Sequence, residues 1–191
     1  MKAESIMIVG VGGQGTLLAS RIIGSALIAM GYDVKMSEVH GMAQRGGSVV
    51  TYVRYGEKVN SPIIGKAGAD LMLAFEELES ARWLPYLKEN GTLIMNRQKI
   101  SPMPVITGVA KYPVGLEEKI RNTVKNIITL DALALAKEAG TVKAVNVVLI
   151  GVMAAAMKID REVWIEALEK TIPAKFIDMN KKAFGLGYEV R

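Results

Sequence analysis

Gly10-Val-Gly12-Gly13-Gln14-Gly15-Thr16 is the first stretch of the chain whose residue types and spacing could do chemistry. It satisfies G-x-G-x-x-G between a strand-like run and a helix-like one, the context in which that pattern binds phosphate. A chain that leaves a strand for a helix so abruptly needs positive φ, and glycine supplies it. Missing side chains let a phosphate reach the backbone, and the helix N-terminus offers unpaired N–H groups with a partial positive charge. The same glycines would also serve a tight turn and close helix–strand packing with no ligand at all. Gln14 carries a neutral donor and acceptor into the mouth of the loop, suited to a ligand or to a partner. A dinucleotide would want an acid about 20 residues further on for its ribose hydroxyls. Glu38, 23 residues beyond Gly15, is placed for that role.

A second loop, His40-Gly-Met-Ala-Gln44-Arg45-Gly46-Gly47-Ser48, holds the single histidine of the chain together with an arginine, a glutamine and three glycines. Arg45 can clamp a phosphate or carboxylate with two parallel hydrogen bonds, or pair with an acid in the fold or at an interface. His40 fixes the turn by a hydrogen bond, or meets a ligand or another subunit. No partner acid or nucleophile lies near it in sequence, so it is not read as a general base. Asn146 stands inside an apolar segment, where its amide must find hydrogen bonds: a carbonyl in the core, or one of the two glycine loops. The candidate binding residues are therefore Gly10, Gly12, Gly13, Gln14, Gly15, Thr16, His40, Gln44, Arg45, Gly46, Gly47 and Asn146, with no catalytic residue and no metal ligand among them.

The elements that must position these residues read as an α/β chain. Ser5 to Val9 is a short buried strand and Thr16 to Met30 a helix stopped by Gly31; Asp33 to Val39 is a second strand. Together they read as the first βαβ unit of a doubly wound sheet. Ser48 to Tyr55 follows as a strand, with Gly56-Glu57 turning it so that Lys58 to Ser61 pairs back. Ala69 to Phe75 is a strand, Glu76 to Leu87 a helix, Asn90-Gly91 a turn, and Thr92 to Asn96 a further strand. Pro102 and Pro104 mark an irregular link, and Val105 to Pro113 has room for a strand. Leu116 to Val124 is an amphipathic helix and Asn126 to Leu130 a strand. Asp131 caps a helix over Ala132 to Ala139 that Gly140 ends. Three more helices follow: Val145 to Met157, one from Asp160 to Thr171, and Lys175 to Phe184. The expected fold is α/β, a doubly wound, mostly parallel, Rossmann-like sheet with helices on both faces and a helical C-terminal end, in one domain over residues 1–191.

Composition excludes several classes. The 191 residues are 50% hydrophobic, which calls for a well-buried parallel sheet or a large subunit interface. The net charge of +5 is spread along the chain, and aromatics, at 6%, do not cluster with Lys or Arg. That is not the basic, aromatic-laced stripe of an RNA binder, so no nucleic acid is expected. There is no cysteine, hence no disulfide, no thiolate metal site and no ligand for an iron–sulfur cluster. The most apolar stretch, Ala144 to Met157, falls short of the about 20 residues that span a bilayer. The N-terminus lacks the pattern of a signal peptide, and the chain reads as cytoplasmic.

GVGGQGTLLASRI resembles the opening of the small, gamma-type domain of 2-oxoacid:ferredoxin oxidoreductases. SEVHGMAQRGGSVV resembles the version found in the beta subunit of the indolepyruvate type, as do ADLMLAFEELES, ITLDALALAKEAG and AVNVVLIGV. The likeness runs over nearly the whole chain. It implies a subunit of an enzyme that decarboxylates aryl pyruvates on thiamine diphosphate, passes electrons through iron–sulfur clusters to ferredoxin, and hands the acyl group to coenzyme A. Thiamine diphosphate, Mg²⁺ and the clusters are then expected on a large alpha subunit, with coenzyme A contacted by this chain. The lone chain is expected to be inactive and to form a homodimer. A stand-alone NAD-dependent oxidoreductase and a non-enzymatic nucleotide-binding module share the same loops and stay open at this point.

Overall fold

The computed structural model describes residues 3–41 and 46–190. Its sheet begins with β1 (Glu4–Val11), which ends in the glycine loop and passes into α1 (Thr16–Ala29). β2 (Asp33–His40) and β3 (Ser48–Gly56) follow, then β4 (Ala69–Ala74), α2 (Glu77–Trp83) and β5 (Leu87–Asn96). After the short α3 (Met103–Ile106) come α4 (Leu116–Thr123), β6 (Asn126–Leu130) and α5 (Ala132–Ala139). The remainder is helical: α6 (Val145–Met157), α7 (Arg161–Thr171) and α8 (Ile177–Tyr188).

The six strands lie in the order β2-β3-β1-β4-β5-β6. β1, β4, β5 and β6 are mutually parallel, while β3 runs antiparallel to both of its neighbours, β1 and β2. The mostly parallel sheet is as expected, but β1-α1-β2 is not a simple βαβ unit. β3 is inserted between the two parallel strands, with Val49 opposite Gly10 on one side and His40 on the other. Because both edges of β3 are occupied, Lys58 to Ser61 has no edge to pair with. Instead of the expected return strand, it is an irregular segment tied down by Val59 N–H to Asp33 Oδ2 (2.8 Å) and Arg54 to the Ser61 carbonyl (3.1 Å).

Three further expectations change. Asn90-Gly91 is not a turn but part of β5, whose register against β4 shifts between Ala69 and Leu71. The helix from Glu76 stops at Trp83, because Pro85 sits at the start of a 3₁₀ turn and Leu87 is already extended. The stretch 105–113 holds no strand. Pro102 and Pro104 instead stand at the N-terminal end of α3, where a fixed φ and a missing N–H cost nothing.

Two layers of unequal size cover the sheet. One core joins Ile6, Ile8, Leu71, Leu73 and Ile94 to α1, α5, α6, α7 and α8, with Trp164, Phe75 and Phe184 fully buried. The other joins Met7, Val9, Met72, Leu93 and Met95 to α2 and α4. α6 is buried from Asn146 to Ala154 and meets α8 backbone to backbone: a Cβ placed on Gly187 would lie 2.0 Å from the Val148 carbonyl oxygen, and one on Gly151 2.2 Å from that of Phe184. Much of the hydrophobic surplus is consumed by this doubly covered arrangement.

Candidate functional site

Connections leaving β1 lead to the β2 side of the sheet and those leaving β4 to the β6 side, so the order reverses between β1 and β4. Ligands of open α/β sheets bind at that reversal, beyond the carboxyl ends of the strands. The glycine loop stands there. Gly10 is the second-to-last residue of β1, and a Cβ on it would lie 2.7 Å from Gln14 Oε1 and 3.0 Å from Phe75 Cβ. Gln14 therefore folds back over a bare backbone. Its Oε1 accepts from Val11 N–H (2.8 Å), and its Nε2 donates to the Phe75 carbonyl (3.0 Å) and to Gln98 Oε1 (3.1 Å). That amide holds the loop to the ends of β4 and β5.

Gly13 (φ 97°) and Gly15 (φ 82°) adopt the left-handed conformation that delivers the chain into α1 at Thr16. The N–H groups of Gly13, Gly15, Thr16, Leu17 and Leu18 have no acceptor among the described residues, and Ala19 is the first to bond back, to the Gly15 carbonyl (3.1 Å). Asn146 braces the same point. Buried at the start of α6, it donates from Nδ2 to the Gly15 carbonyl (3.3 Å), while its Oδ1 accepts from Val147 N–H (3.0 Å). The two alternatives for Asn146 thus coincide, since the core carbonyl that it finds belongs to the glycine loop.

The second loop is clasped to the first by two backbone bonds, Gly12 N–H to the Gly47 carbonyl (2.9 Å) and Gly46 N–H to the Gly12 carbonyl (3.4 Å). Gly46 needs its positive φ of 73° to make this turn. Gln44 and Arg45 lie outside the described residues. His40 closes β2 with its ring mostly exposed, Nε2 lying 3.6 Å from Glu38 Oε1, so contrary to expectation an acid stands beside it, only two residues away in sequence on the same strand. Glu38 also accepts from Thr51 Oγ1 (2.9 Å). Both line a cavity of about 330 Å³ with Gly12, Gly13, Thr16 and Leu17. A larger groove of about 700 Å³ opens on the other side of the glycine loop, bounded by Gln98, Ile100, Leu133, Val142, Lys143 and Asn146.

Sequence reasoning missed Gln98, Asn96 and Lys143. Asn96, buried at the end of β5, donates to the Phe75 carbonyl (3.2 Å) and accepts from Ala132 N–H (3.1 Å), tying β4, β5 and α5 into the floor of the groove. Polar residues directly after the apolar run of β5 were the available signal.

The acids of α2 were also missed. Glu76 caps the helix through Glu79 N–H (2.9 Å) and accepts from Ile100 N–H (3.0 Å) and the Tyr112 hydroxyl. Burial, followed by that bond, pushes the Tyr112 hydroxyl well above the usual tyrosine range. Glu79 accepts from Ser48 Oγ and from Trp83 Nε1 (3.3 Å), which ties the start of β3, and with it the second loop, to α2. Glu77 is buried and 3.6 Å from Lys99; burial raises its carboxyl above the usual range, and Lys99 only partly opposes this. A carboxyl raised in the fold contributes most below its unfolded value, and that contribution is lost as pH rises through the folded value. Glu77→Gln is therefore expected to raise Tm at pH 7 and to leave it unchanged near pH 3.5. Thermal melts across that range check this.

Fold and site together define a glycine-loop α/β domain whose ligand crevice is open and whose catalytic equipment is sparse. Among the described residues no group of three His, Cys, Asp or Glu could hold a metal ion, and no helix is long and apolar enough to cross a membrane. The chain belongs to the pyruvate ferredoxin/flavodoxin oxidoreductase family, which it matches over residues 5–190. It is 42% identical to the indolepyruvate oxidoreductase subunit IorB of Pyrococcus horikoshii, over 98% of this chain and 95% of that protein. To the subunit of the same name from Archaeoglobus fulgidus it is also 42% identical, over 96% and 93%. Among solved structures it resembles the gamma subunit of keto/oxoacid ferredoxin oxidoreductase from Geobacter sulfurreducens, with a TM-score of 0.73 and 25% identity over 97% of this chain and 96% of that one.

Proposed function

We propose that this chain is the small subunit of an indolepyruvate:ferredoxin oxidoreductase, and that its glycine-loop crevice contacts coenzyme A while a large subunit carries out the chemistry. The observation that carries the reading is the crevice: five unpaired N–H groups along the glycine loop and the start of α1 beside a groove of about 700 Å³. Free N–H groups at a helix start suit a phosphate. The amide of Gln98, with Leu133, Val142 and Val145 beside it, suits an amide-bearing chain with an apolar end. The curated relatives carry the indolepyruvate name.

The residues present do not fit the other groups of such an enzyme. The chain has no cysteine to hold a cluster, and it lacks the Gly-Asp-Gly and distant Asn that would carry Mg²⁺ and thiamine diphosphate. Those belong on the large subunit, as does ferredoxin reduction. Met103, Ile106, Val109 and Val114 are exposed on the β5–α4 connection, which leaves β5 at the same strand ends as the crevice, and they give that subunit an apolar surface. A stand-alone NAD enzyme is less well supported. Glu38 is two strands from β1, about 9–10 Å farther across the sheet than the pyrophosphate loop's own strand, and it already holds Thr51.

Leu17→Glu tests the reading without harm to the fold. Leu17 is 47% exposed in the first turn of α1, where an acid is tolerated or favoured. A carboxylate there repels a phosphate from the free N–H groups. Losing one charge-assisted hydrogen bond is worth about 1.5–3 kcal/mol, so KM for coenzyme A in the co-purified complex is expected to rise at least about tenfold, with Leu17→Gln near wild type. Equal KM values for the two variants would remove coenzyme A from this crevice. Absence of any thiamine- and cluster-bearing partner on co-purification would remove the subunit assignment.

A further inference from the structure

A separate cavity of about 370 Å³ lies where the α5–α6 connection meets the α7–α8 connection. Its walls are Leu18, Ala144, Ile172, Pro173, Phe176 and Met179. Each of its three neutral polar side chains makes a hydrogen bond within the fold. Thr141 Oγ1 accepts from Lys143 N–H (3.2 Å), Asn146 holds the Gly15 carbonyl and Val147 N–H, and Asn180 Nδ2 donates to the Phe176 carbonyl (2.8 Å). Lys143 is not committed: among the described residues its ammonium makes no ion pair or hydrogen bond. The one charged side chain in the lining is thus an unpaired cation at the edge of a largely apolar enclosure.

We propose that this cavity binds a small apolar monocarboxylate, an aryl or branched-chain acid, with its body among Leu18, Ile172, Phe176 and Met179 and its carboxylate on Lys143. The volume is near the lower end for ligand pockets, about 300–1,000 Å³, and so suits one ring rather than a nucleotide. One cation matches one anion. A phosphate dianion would be left half-neutralised, and a neutral ligand would leave the charge-assisted contact unmade. Phe176 is half exposed, with the Lys175 ammonium 4.8 Å from its ring centroid, and its ring gives an aromatic acid an apolar wall. The class covers free 2-oxoacids and the free acids released when acyl thioesters hydrolyse. Leu18, Lys143 and Asn146 also border the glycine-loop groove, so an occupant presses on the amide that holds Gly15 and tunes that loop; only this last coupling rests on the function proposed above.

Calorimetric titration of the full chain with phenylacetate, phenylpyruvate and 2-phenylethanol tests the site. The carboxylates are expected to bind at least ten times more tightly than the alcohol. Lys143→Met should erase that preference, and Met179→Trp, which fills the cavity, should abolish binding of all three. Tighter binding of phenylpyruvate identifies the ligand as a 2-oxoacid, and tighter binding of phenylacetate as the free acid; either supports the site. No carboxylate binding, equal binding of the alcohol, or binding untouched by Met179→Trp would overturn it. Leu17→Glu should still bind phenylacetate like wild type. Loss there would put the acid on the glycine loop and overturn the separate cavity, whereas an unchanged coenzyme A KM in that variant leaves these titrations unaffected.

Discussion

Gly187→Ala is expected to destabilise the chain by about 3 kcal/mol or more, while Gly185→Ala, two residues earlier on the same helix, stabilises it. The new methyl at 187 would sit 2.0 Å from the Val148 carbonyl oxygen and 2.8 Å from its carbon, both rigid backbone of α6. No rotamer relieves such a contact, so α6 and α8 must separate. Separation opens the core around Val148, Leu149, Ala183 and Phe184, all fully buried. Overpacking of this kind typically costs about 1–3 kcal/mol even where neighbours can shift, and here they cannot. At 185 the methyl would meet only Arg161 Nη2, the end of a flexible side chain, at 3.2 Å. Alanine there gains helix propensity of about 0.5–1 kcal/mol. Since about 1 kcal/mol moves Tm by about 2–4 °C at this size, Tm should fall by at least about 6 °C for Gly187→Ala and rise for Gly185→Ala. A fall in both would mean that α8 is sensitive throughout and not at its contact with α6.

Gly15→Val is expected to leave a folded chain with a displaced glycine loop. Two effects add. A β-branched residue at φ 82° is strained by about 1–2 kcal/mol, and its Cβ would lie 2.9 Å from Asn146 Nδ2. Asn146 must then swing off the Gly15 carbonyl, inside a region where it is 3% exposed, and a buried amide without partners costs about 1–3 kcal/mol more. The total of about 2–5 kcal/mol should lower Tm by about 4–20 °C. In the co-purified complex, KM for coenzyme A should rise by more than in Leu17→Glu. Adding Asn146→Gly to Gly15→Val removes the clash but not the backbone strain, so it should recover part of the Tm. Full recovery would show that φ at position 15 is unimportant.

Local patterns were the legible part of this molecule. The glycine spacing placed the loop and the start of α1, and the apolar run 145–157 gave the bounds of α6, because both are set by residues adjacent in sequence. Sheet order was not legible in the same way, since pairing across β1 and β3 joins residues some 40–50 positions apart. A signal was nevertheless present. β3 reads SVVTYVRYG, apolar on both faces as an interior strand must be, whereas β2 reads DVKMSEVH, with charges distributed as on an edge. Weighing those two strands against each other would have put β3 inside and β2 at the margin. The role of Asn146 was legible because an amide in an apolar helix has to be explained. The acids of α2 were not, because nothing local tells a buried Glu76 or Glu79 from a solvated one. Their partners, Ile100, Tyr112 and Ser48, come from other parts of the chain.

The insertion of β3 between β1 and β2 bears on how the chain is made. β1 is made before the other five strands, yet neither strand that flanks it is encoded before residue 48. Its two apolar faces, Ile6 and Ile8 on one and Met7 and Val9 on the other, must wait while α1 and β2 are synthesised, at about 5–20 residues per second. A sheet whose first strand has no early neighbour gains little from vectorial synthesis, and a nascent chain halted short of β4 would expose a strand paired along one edge at most, which is aggregation-prone. Codon changes that slow translation between residues 48 and 74 should therefore lower soluble yield more than equal slowing within α7.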